Sequence, residues 1–237
     1  MILNNRIKLH HIKQEGITMS LCDTGDIHAI TYQDYQINLL HGNVLDGSIM
    51  NLYLRVHDHG NIMTTPLIGS HAPSTFKIDH HKVIYQGTFL GVRYQLDVVI
   101  EDFKVDYHLF LSSENQVTVD VMYGQDIAIS SKSSVLNSEP YTVQYIDYKS
   151  FKSDLGYTLC ARQNQGKTQF LQVGSYTKNI AYATDGFQFF GLSYKETGIP
   201  EAYDMIELPS QIYQYEFSYF ALQSEKIVLN NNYQEAS

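Results

Sequence analysis

Apolar residues fall on every second position over long stretches of this chain. In Val92-Arg93-Tyr94-Gln95-Leu96-Asp97-Val98-Val99-Ile100 the inward positions are Val, Tyr, Leu, Val and Ile. The pattern recurs in Val105-Asp106-Tyr107-His108-Leu109-Phe110-Leu111 and in Val117-Thr118-Val119-Asp120-Val121-Met122-Tyr123. A period of two buries one face of an extended segment and leaves the other wet, the signature of antiparallel strands. Asp102 and the run Ser112-Ser113-Glu114-Asn115 supply turn residues between these strands, so the block reads as a meander. Upstream, Asp26 to Thr31, Tyr35 to Leu40 and Leu52 to Val56 read as strands, punctuated by Gly42, Gly47, Gly60 and Pro66. Downstream, the expected strands are Tyr141 to Ile146, Tyr157 to Ala161, Phe170 to Val173 and Phe187 to Tyr194. A last one, Ile212 to Leu222, puts Tyr213, Tyr215, Phe217, Tyr219 and Ala221 on one face and Gln214, Glu216 and Ser218 on the other. No run carries a 3.6-residue apolar period. Short helical pieces are expected only in Ser130 to Ser138 and near Glu201 to Met205. Many short strands at regular spacing with almost no helix predict an all-β sandwich or barrel.

Nothing in the composition divides the chain. It reads as a single β domain over 1–237, with an ordered core from about 18 to 229 and a polar tail, Asn230 to Ser237. At 43% hydrophobic and 13% aromatic, a sizeable core is available and disorder is excluded. Sixteen Lys and Arg against 25 Asp and Glu leave a formal charge of −9, which repels phosphate backbones and anionic lipid. Neither nucleic acid nor a membrane surface is therefore an expected partner. No stretch is long and apolar enough to span a bilayer, and the start lacks the pattern of a secretory signal. Cys22 and Cys160 lie far apart in apolar contexts, as reduced core thiols do, which points to the cytoplasm.

Candidate chemistry is sparse. His57-Asp58-His59 would place two imidazoles on one strand face, but two ligands do not make a metal site and Gly60-Asn61 signal a turn. No structural metal and no cofactor are expected. A Gly-x-Ser-x-Gly elbow and a phosphate-cradling Gly-x-x-x-x-Gly-Lys loop are both missing. Arginine is scarce, limited to Arg6, Arg55, Arg93 and Arg162, and scarce Arg is often kept for bidentate hydrogen bonding. Arg55 shares a strand face with Tyr53 and His57. Arg162 lies in Ala161-Arg162-Gln163-Asn164-Gln165, a dense set of amide and guanidinium groups. Amides beside aromatic rings are what sugar recognition uses, because hydroxyls need paired donors and acceptors and the apolar sugar face stacks on a ring. Two further clusters combine these chemistries: Tyr141-Thr142-Val143-Gln144-Tyr145-Ile146-Asp147-Tyr148, and Thr184-Asp185-Gly186-Phe187-Gln188-Phe189-Phe190-Gly191, where Asp185-Gly186 reads as a turn.

Several of these segments, in this order, resemble a known family. They are Asn51-Leu52-Tyr53-Leu54-Arg55, Pro66-Leu67-Ile68-Gly69-Ser70, Met122-Tyr123-Gly124-Gln125-Asp126-Ile127, Gln144-Tyr145-Ile146-Asp147, Ala161-Arg162-Gln163-Asn164-Gln165, Asp185 to Gly191 and Tyr213-Gln214-Tyr215-Glu216-Phe217. Together they are similar to the amino-terminal region of cellobiose-phosphorylase-like proteins of glycoside hydrolase family 94, the nearest branch being the 1,2-β-oligoglucan phosphorylases. The resemblance runs from about Thr18 to Glu225.

The resemblance implies a galactose-mutarotase-like supersandwich of two large antiparallel sheets. In such phosphorylases this domain precedes an (α/α)6 barrel that holds the general acid and the phosphate site, with inorganic phosphate as co-substrate. This chain has too little helix for a barrel, so no catalytic residue is carried over and the chain alone is not expected to turn over substrate. The matching residues Arg55, Gln144, Asp147, Arg162, Gln163 and Asp185 are the implied carbohydrate-binding or active-site-mouth candidates. The implied partners are a β-glucan or oligosaccharide, a catalytic barrel and a second copy of the chain. Two other readings use the same fold. One is a stand-alone carbohydrate-binding module, which usually exposes Trp; this chain has 19 Tyr and 11 Phe but no Trp. The other is an aldose mutarotase or epimerase, for which His57, His71 and His108 could serve beside a carboxylate.

Overall fold

The computed structural model describes residues 8–214, 217–230 and 234–236. The chain opens with a run of short antiparallel strands, β1 (Leu9–Gln14), β2 (Ile17–Cys22), β3 (Ile27–Tyr32) and β4 (Tyr35–Gln36), which with the later β12 (Ser130–Ser131) make a first sheet. A second sheet has the order β19-β10-β9-β8-β7, from β7 (Ser74–Asp79), β8 (Lys82–Phe89), β9 (Val92–Glu101), β10 (Lys104–Ser113) and β19 (Gln234–Ala236). The third has the order β16-β17-β11-β5-β6, from β5 (Asn51–Asp58), β6 (Asn61–Pro66), β11 (Val117–Asp126), β16 (Asn179–Asp185) and β17 (Ser218–Ser224), with β18 (Ile227–Leu229) beside β11. The fourth is β13 (Ile146–Ser153), β14 (Gly156–Gln163) and β15 (Gln169–Val173). Helices are short: α1 (Lys132–Asn137), α2 (Glu139–Val143), α3 (Gly186–Phe190), α4 (Tyr194–Thr197) and a 3-10 turn at Glu201–Tyr203.

The all-β expectation holds, but the two-sheet sandwich does not. The strands separate into four antiparallel sheets in a propeller-like arrangement. The third sheet explains why two layers are not enough, since both of its faces are covered. On the front face, Leu52, Leu54, Val56, Val119 and Val121 join Met19, Leu21 and Ile27 of the first sheet and Tyr85, Leu96, Val98 and Leu109 of the second in one buried core. Further along that face, Phe220 and Leu222 pack with Ile146, Tyr148, Leu159 and Ala161 of the fourth sheet. The back face carries the alternate residues, Tyr53, Met122, Tyr219 and Ala221, which pack on Phe189, Phe190, Ala202 and Leu208 of the helical segment. A strand buried on both sides reads as nearly continuously apolar, and Ser218–Ser224 is buried at every position.

Several local expectations are corrected. The meander is broken: β9 and β10 pair as read, but β11 leaves for the third sheet, where it lies between β17 and β5. Its inward stripe is the same either way, so alternation could not reveal the change of sheet. Phe187 to Tyr194 is helical at α3 and α4 instead of a strand. Asp185 Oδ1 accepts from Phe187 N at 2.8 Å, and Gln188 Oε1 accepts from Asp185 N at 3.2 Å, a capping box that starts the helix. Tyr141 to Val143 belong to α2 instead, because Ser138 caps that helix and Pro140 fits its first turn; Gln144 and Tyr145 form a turn and the strand begins only at Ile146. The Tyr35 to Leu40 strand ends at Gln36, since the Leu39 and Leu40 amides are taken by Asp126 at 2.7 and 2.6 Å. In the last expected strand, 212–214 lie outside any strand, 215–216 fall outside the described residues, and pairing starts at Ser218. Of the polar tail, 231–233 and 237 lie outside the described residues, while Gln234–Ala236 pair with β10. The helical pieces expected in Ser130 to Ser138 and near Glu201 are present as α1 and the 3-10 turn.

Candidate functional site

The six candidate residues fall into three settings. Arg55 is fully buried on the back face of the third sheet. Its Nε and Nη2 donate to the two oxygens of Asp120 at 2.6 and 2.7 Å, across from it on β11. Its remaining N–H groups reach the carbonyls of Ala202 at 3.2 Å, Met205 at 2.5 Å and Ile206 at 3.4 Å. All the donors of the planar guanidinium are thus used within the fold. Gln223 joins the network, donating to Asp120 at 3.3 Å and to Ile206 O at 2.9 Å. The cluster clamps the 202–208 loop onto the sheet and offers no free edge to a ligand. Its sequence setting, an Arg on an alternating strand face, could not separate a clamp from a binding group.

His57 is drawn into the same cluster, its Nε2 lying 3.0 Å from Asp120 Oδ2. An Asp–His pair could serve as general base, but here the carboxylate already neutralises Arg55. His71 sits exposed in the loop before β7, and His108 is on β10 of the second sheet.

Gln163 and Asp185 are buried as well. Gln163 Nε2 donates to Ala128 O and Thr142 O, both at 3.1 Å, and its Oε1 accepts from Gln165 N at 3.0 Å, which ties the fourth sheet to α2. Asp185 caps α3, as described above. The Asp185-Gly186 pair is a strand end and a helix start, not a hairpin turn.

Arg162, Asp147 and Gln144 form an exposed group. Asp147 and Arg162 are direct cross-strand partners, so the alternation of β13 and β14 puts both on the outer face of the fourth sheet. Asn164 joins them: its Oδ1 accepts from Arg162 Nε at 2.7 Å and its Nδ2 donates to Asp147 Oδ2 at 2.8 Å. Gln144 lies at the end of α2, its Nε2 donating to Tyr141 O at 3.3 Å. Tyr141 and Tyr145 stand beside it with ring centroids 5.0 Å apart. Phe170, 75% exposed, is the partner of Arg162 on β15. Open donors, a carboxylate and bare aromatic faces are combined here, a surface able to pair hydroxyls and stack a pyranose.

A second opening was not foreseen. A cleft of about 730 Å³ lies where all four sheets meet. Its walls include Ile17, Ile30, Leu52, Val121 and Leu222, and its rim includes the exposed Phe103, Phe170 and Tyr176. Gln125 lines it from β11, accepting a hydrogen bond from the Tyr123 hydroxyl. The sequence did hold a signal: Gln125 continues the inward stripe Val119, Val121, Tyr123, a polar residue where an apolar one is expected.

Two buried carboxylates belong to the frame. Asp26 accepts from Thr24 Oγ1, Ser48 N and Ser70 N at 2.6, 3.0 and 2.9 Å. Gly69 is required beside it, with φ of +87° and a Cβ that would stand 1.8 Å from Asp26 Oδ1. Burial raises the Asp126 carboxyl to about 6, against the opposing pull of the Leu39 and Leu40 amides. Burial also raises both thiols, so neither Cys22 nor Cys160 is an activated thiolate. Cys22 is a core thiol as expected, but Cys160 is only half-buried. Among the described residues the one group with metal-like spacing is Glu101, Asp106 and His108, and Lys104 already holds Asp106 at 2.6 Å. No helix among the described residues is long and apolar enough to cross a membrane.

The profile of the SOGP N-terminal domain family matches residues 20–237. The chain belongs to that family. It is 30% identical over 220 residues to a 1,2-β-oligoglucan phosphorylase of Listeria innocua serovar 6a, a match that takes in 92% of this chain and 20% of that protein. The chain thus spans about a fifth of the length of that curated relative. Among solved structures it is similar in fold to part of a polysaccharide lyase, with a TM-score of 0.58 at 12% identity over 93% of this chain and 31% of that one.

Proposed function

We propose that this chain is the non-catalytic N-terminal domain of a β-glucan phosphorylase-like protein, supporting carbohydrate binding and assembly with an (α/α)6 catalytic barrel. The observation that carries the reading is the family match over 20–237, paired with a phosphorylase relative of which the chain spans only a fifth. On this reading the whole protein falls in glycoside hydrolase family 94. The open Arg162–Asn164–Asp147 group, with Gln144, Tyr141 and Tyr145 beside it, has the chemistry to hold sugar hydroxyls near an active-site mouth. Arg55, Gln163 and Asp185 serve it indirectly, as clamps that fix the loops and the sheet. The layer over the back of the third sheet exposes Leu192 at 78%, Ile199 at 56% and Ile206 at 73%, an apolar surface suited to a barrel or a second copy. On this reading phosphate binds the barrel, this domain needs no cofactor, and the unactivated thiols suit a reducing cytoplasm. A stand-alone carbohydrate-binding module is the second reading, favoured by the bare Phe170 and Phe151 rings on the outer face of the fourth sheet.

The test is to incubate the 237-residue chain with linear β-1,2-glucan and inorganic phosphate. No sugar 1-phosphate and no anomer interconversion above the buffer rate are expected. Turnover of either kind by the chain alone overturns the proposal.

A further inference from the structure

We infer that the cleft between the four sheets is a separate binding site for a sugar ring of a β-linked glucan. Gln125 is its floor contact, and Tyr176 and Phe103 are stacking platforms at its rim. The inference deepens the carbohydrate reading above and rests on it.

Size comes first. At about 730 Å³ the cleft falls within the range of small-molecule sites, apolar walls with a few placed polar groups. Its floor is not purely apolar. Gln125 is 5% exposed, and its carboxamide makes a single hydrogen bond, to the Tyr123 hydroxyl. Whichever way the carboxamide is turned, one of its terminal atoms has no partner among the described residues, and Gln125 is among the residues that line the cleft. A hydrocarbon occupant would seal that atom away unpaired, at a cost of about 1–3 kcal/mol. A hydroxylated ring pairs it and still lays its C–H face on the apolar walls.

The rim supplies the rest. Phe103 is 69% exposed and Tyr176 63%, the latter with Lys104 over its ring; both are large exposed aromatics of the kind that stack on a pyranose. Lys104 Nζ lies 5.5 Å from the Tyr176 ring centre, 3.4 Å from its hydroxyl and 2.6 Å from Asp106. This fixed ammonium–carboxylate pair offers both a donor and an acceptor to hydroxyls at the mouth. Because Asp106 is already neutralised, the neighbouring Glu101 and His108 do not make the place a cation site.

Titration calorimetry of the 237-residue chain with short linear β-1,2-gluco-oligosaccharides tests the site. The affinity should fall about tenfold in Tyr176→Ala and in Gln125→Leu, the loss expected for one stacking contact or one hydrogen bond. It should stay unchanged in Arg93→Ala, an exposed residue of the second sheet that lies in neither surface. Tyr176→Ala alters an exposed ring, so circular dichroism should show the fold intact even if Gln125→Leu disturbs it. Affinity lost in Arg162→Ala and kept in Tyr176→Ala overturns the cleft site while leaving the carbohydrate reading in place. Saccharide binding absent altogether, or a cleft that takes up anilinonaphthalene sulfonate which saccharide does not displace, also overturns it. The domain reading is decided separately, by the phosphorolysis assay.

Discussion

Arg55 and Arg162 began as equals: two of only four arginines, each on a strand, each next to aromatic or amide residues. The fold treats them in opposite ways. Arg55 is sealed against the back of the third sheet with every N–H engaged and Asp120 held in both its forks. Arg162 lies exposed on the outer face of the fourth sheet, where among the described residues its guanidinium donates to Asn164. The same guanidinium is a rivet in one place and an open hand in the other. Residue type sets what a group can bond to; burial decides whether a ligand ever reaches it.

The sharpest way to break this comparison is to replace both. Removing one partner of a buried ion pair leaves the other charge uncompensated and costs about 3–5 kcal/mol. Arg55→Met should therefore lower the urea midpoint severely or prevent folding, with Asp120 stranded. Arg162→Met, on an exposed face, should move stability by no more than about 0.5 kcal/mol. Equal losses in the two variants would erase the distinction.

A buried carboxylate without a cationic partner gives the next effect. Burial pushes the folded-state carboxyl of Asp126 up to about 6 from its ordinary value of 3.8. The native state then holds a proton that the unfolded chain has released between these values, so this group's stabilising contribution is complete below about 4 and is lost as pH rises through about 6. The span corresponds to roughly 3 kcal/mol. Wild type minus Asp126→Asn, measured by urea unfolding from pH 4 to 7, should fall over that interval and then flatten. A difference that does not change with pH would show that the two amide hydrogen bonds fully offset burial.

Smaller still is the helix cap. Asp185→Ala should cost about 1 kcal/mol, the usual value of an N-cap side chain, and Asp185→Asn should restore most of it. The smallest stability effect belongs to Asp147→Ala, near zero by thermal melt. It should nevertheless weaken any saccharide binding on the fourth sheet, because Asn164 Nδ2 would lose its Asp147 partner. A cap variant that changed binding more than stability would move Asp185 from the frame to the site.

Much of the strand content was legible because burial on one face is a local property. Val92, Tyr94, Leu96, Val98 and Ile100 are all buried, as their spacing required. The aromatic-rich Phe187 to Phe190 misled because two neighbouring apolar residues suit a buried strand and a short packed helix equally. The deciding feature, Asp185 with Gln188 three residues on, was present but outweighed by β-propensity. Of the candidate site, the cross-strand meeting of Asp147 and Arg162 follows from their place on a hairpin. The burial of Arg55, Gln163 and Asp185 does not follow from any local pattern. Each is enclosed by groups distant in sequence: Arg55 by the carbonyls of 202–206, Gln163 by Ala128 and Thr142, Asp185 within the strand layers of β16 and β17. The cleft escaped for the same reason, since it exists only where four sheets meet.

What the sequence by itself determined was an all-β chain, the inward face of its regularly alternating strands such as β9 and β11, and its likeness to a phosphorylase amino-terminal region. Those depend on alternation and on short ordered motifs, which are fixed by neighbours along the chain. Only the tertiary structure decided that there are four sheets rather than two, that β11 crosses to the third, and which arginine stays open. Strand pairing and burial are set by residues far apart in sequence, and a period of two is the same whichever sheet a strand joins.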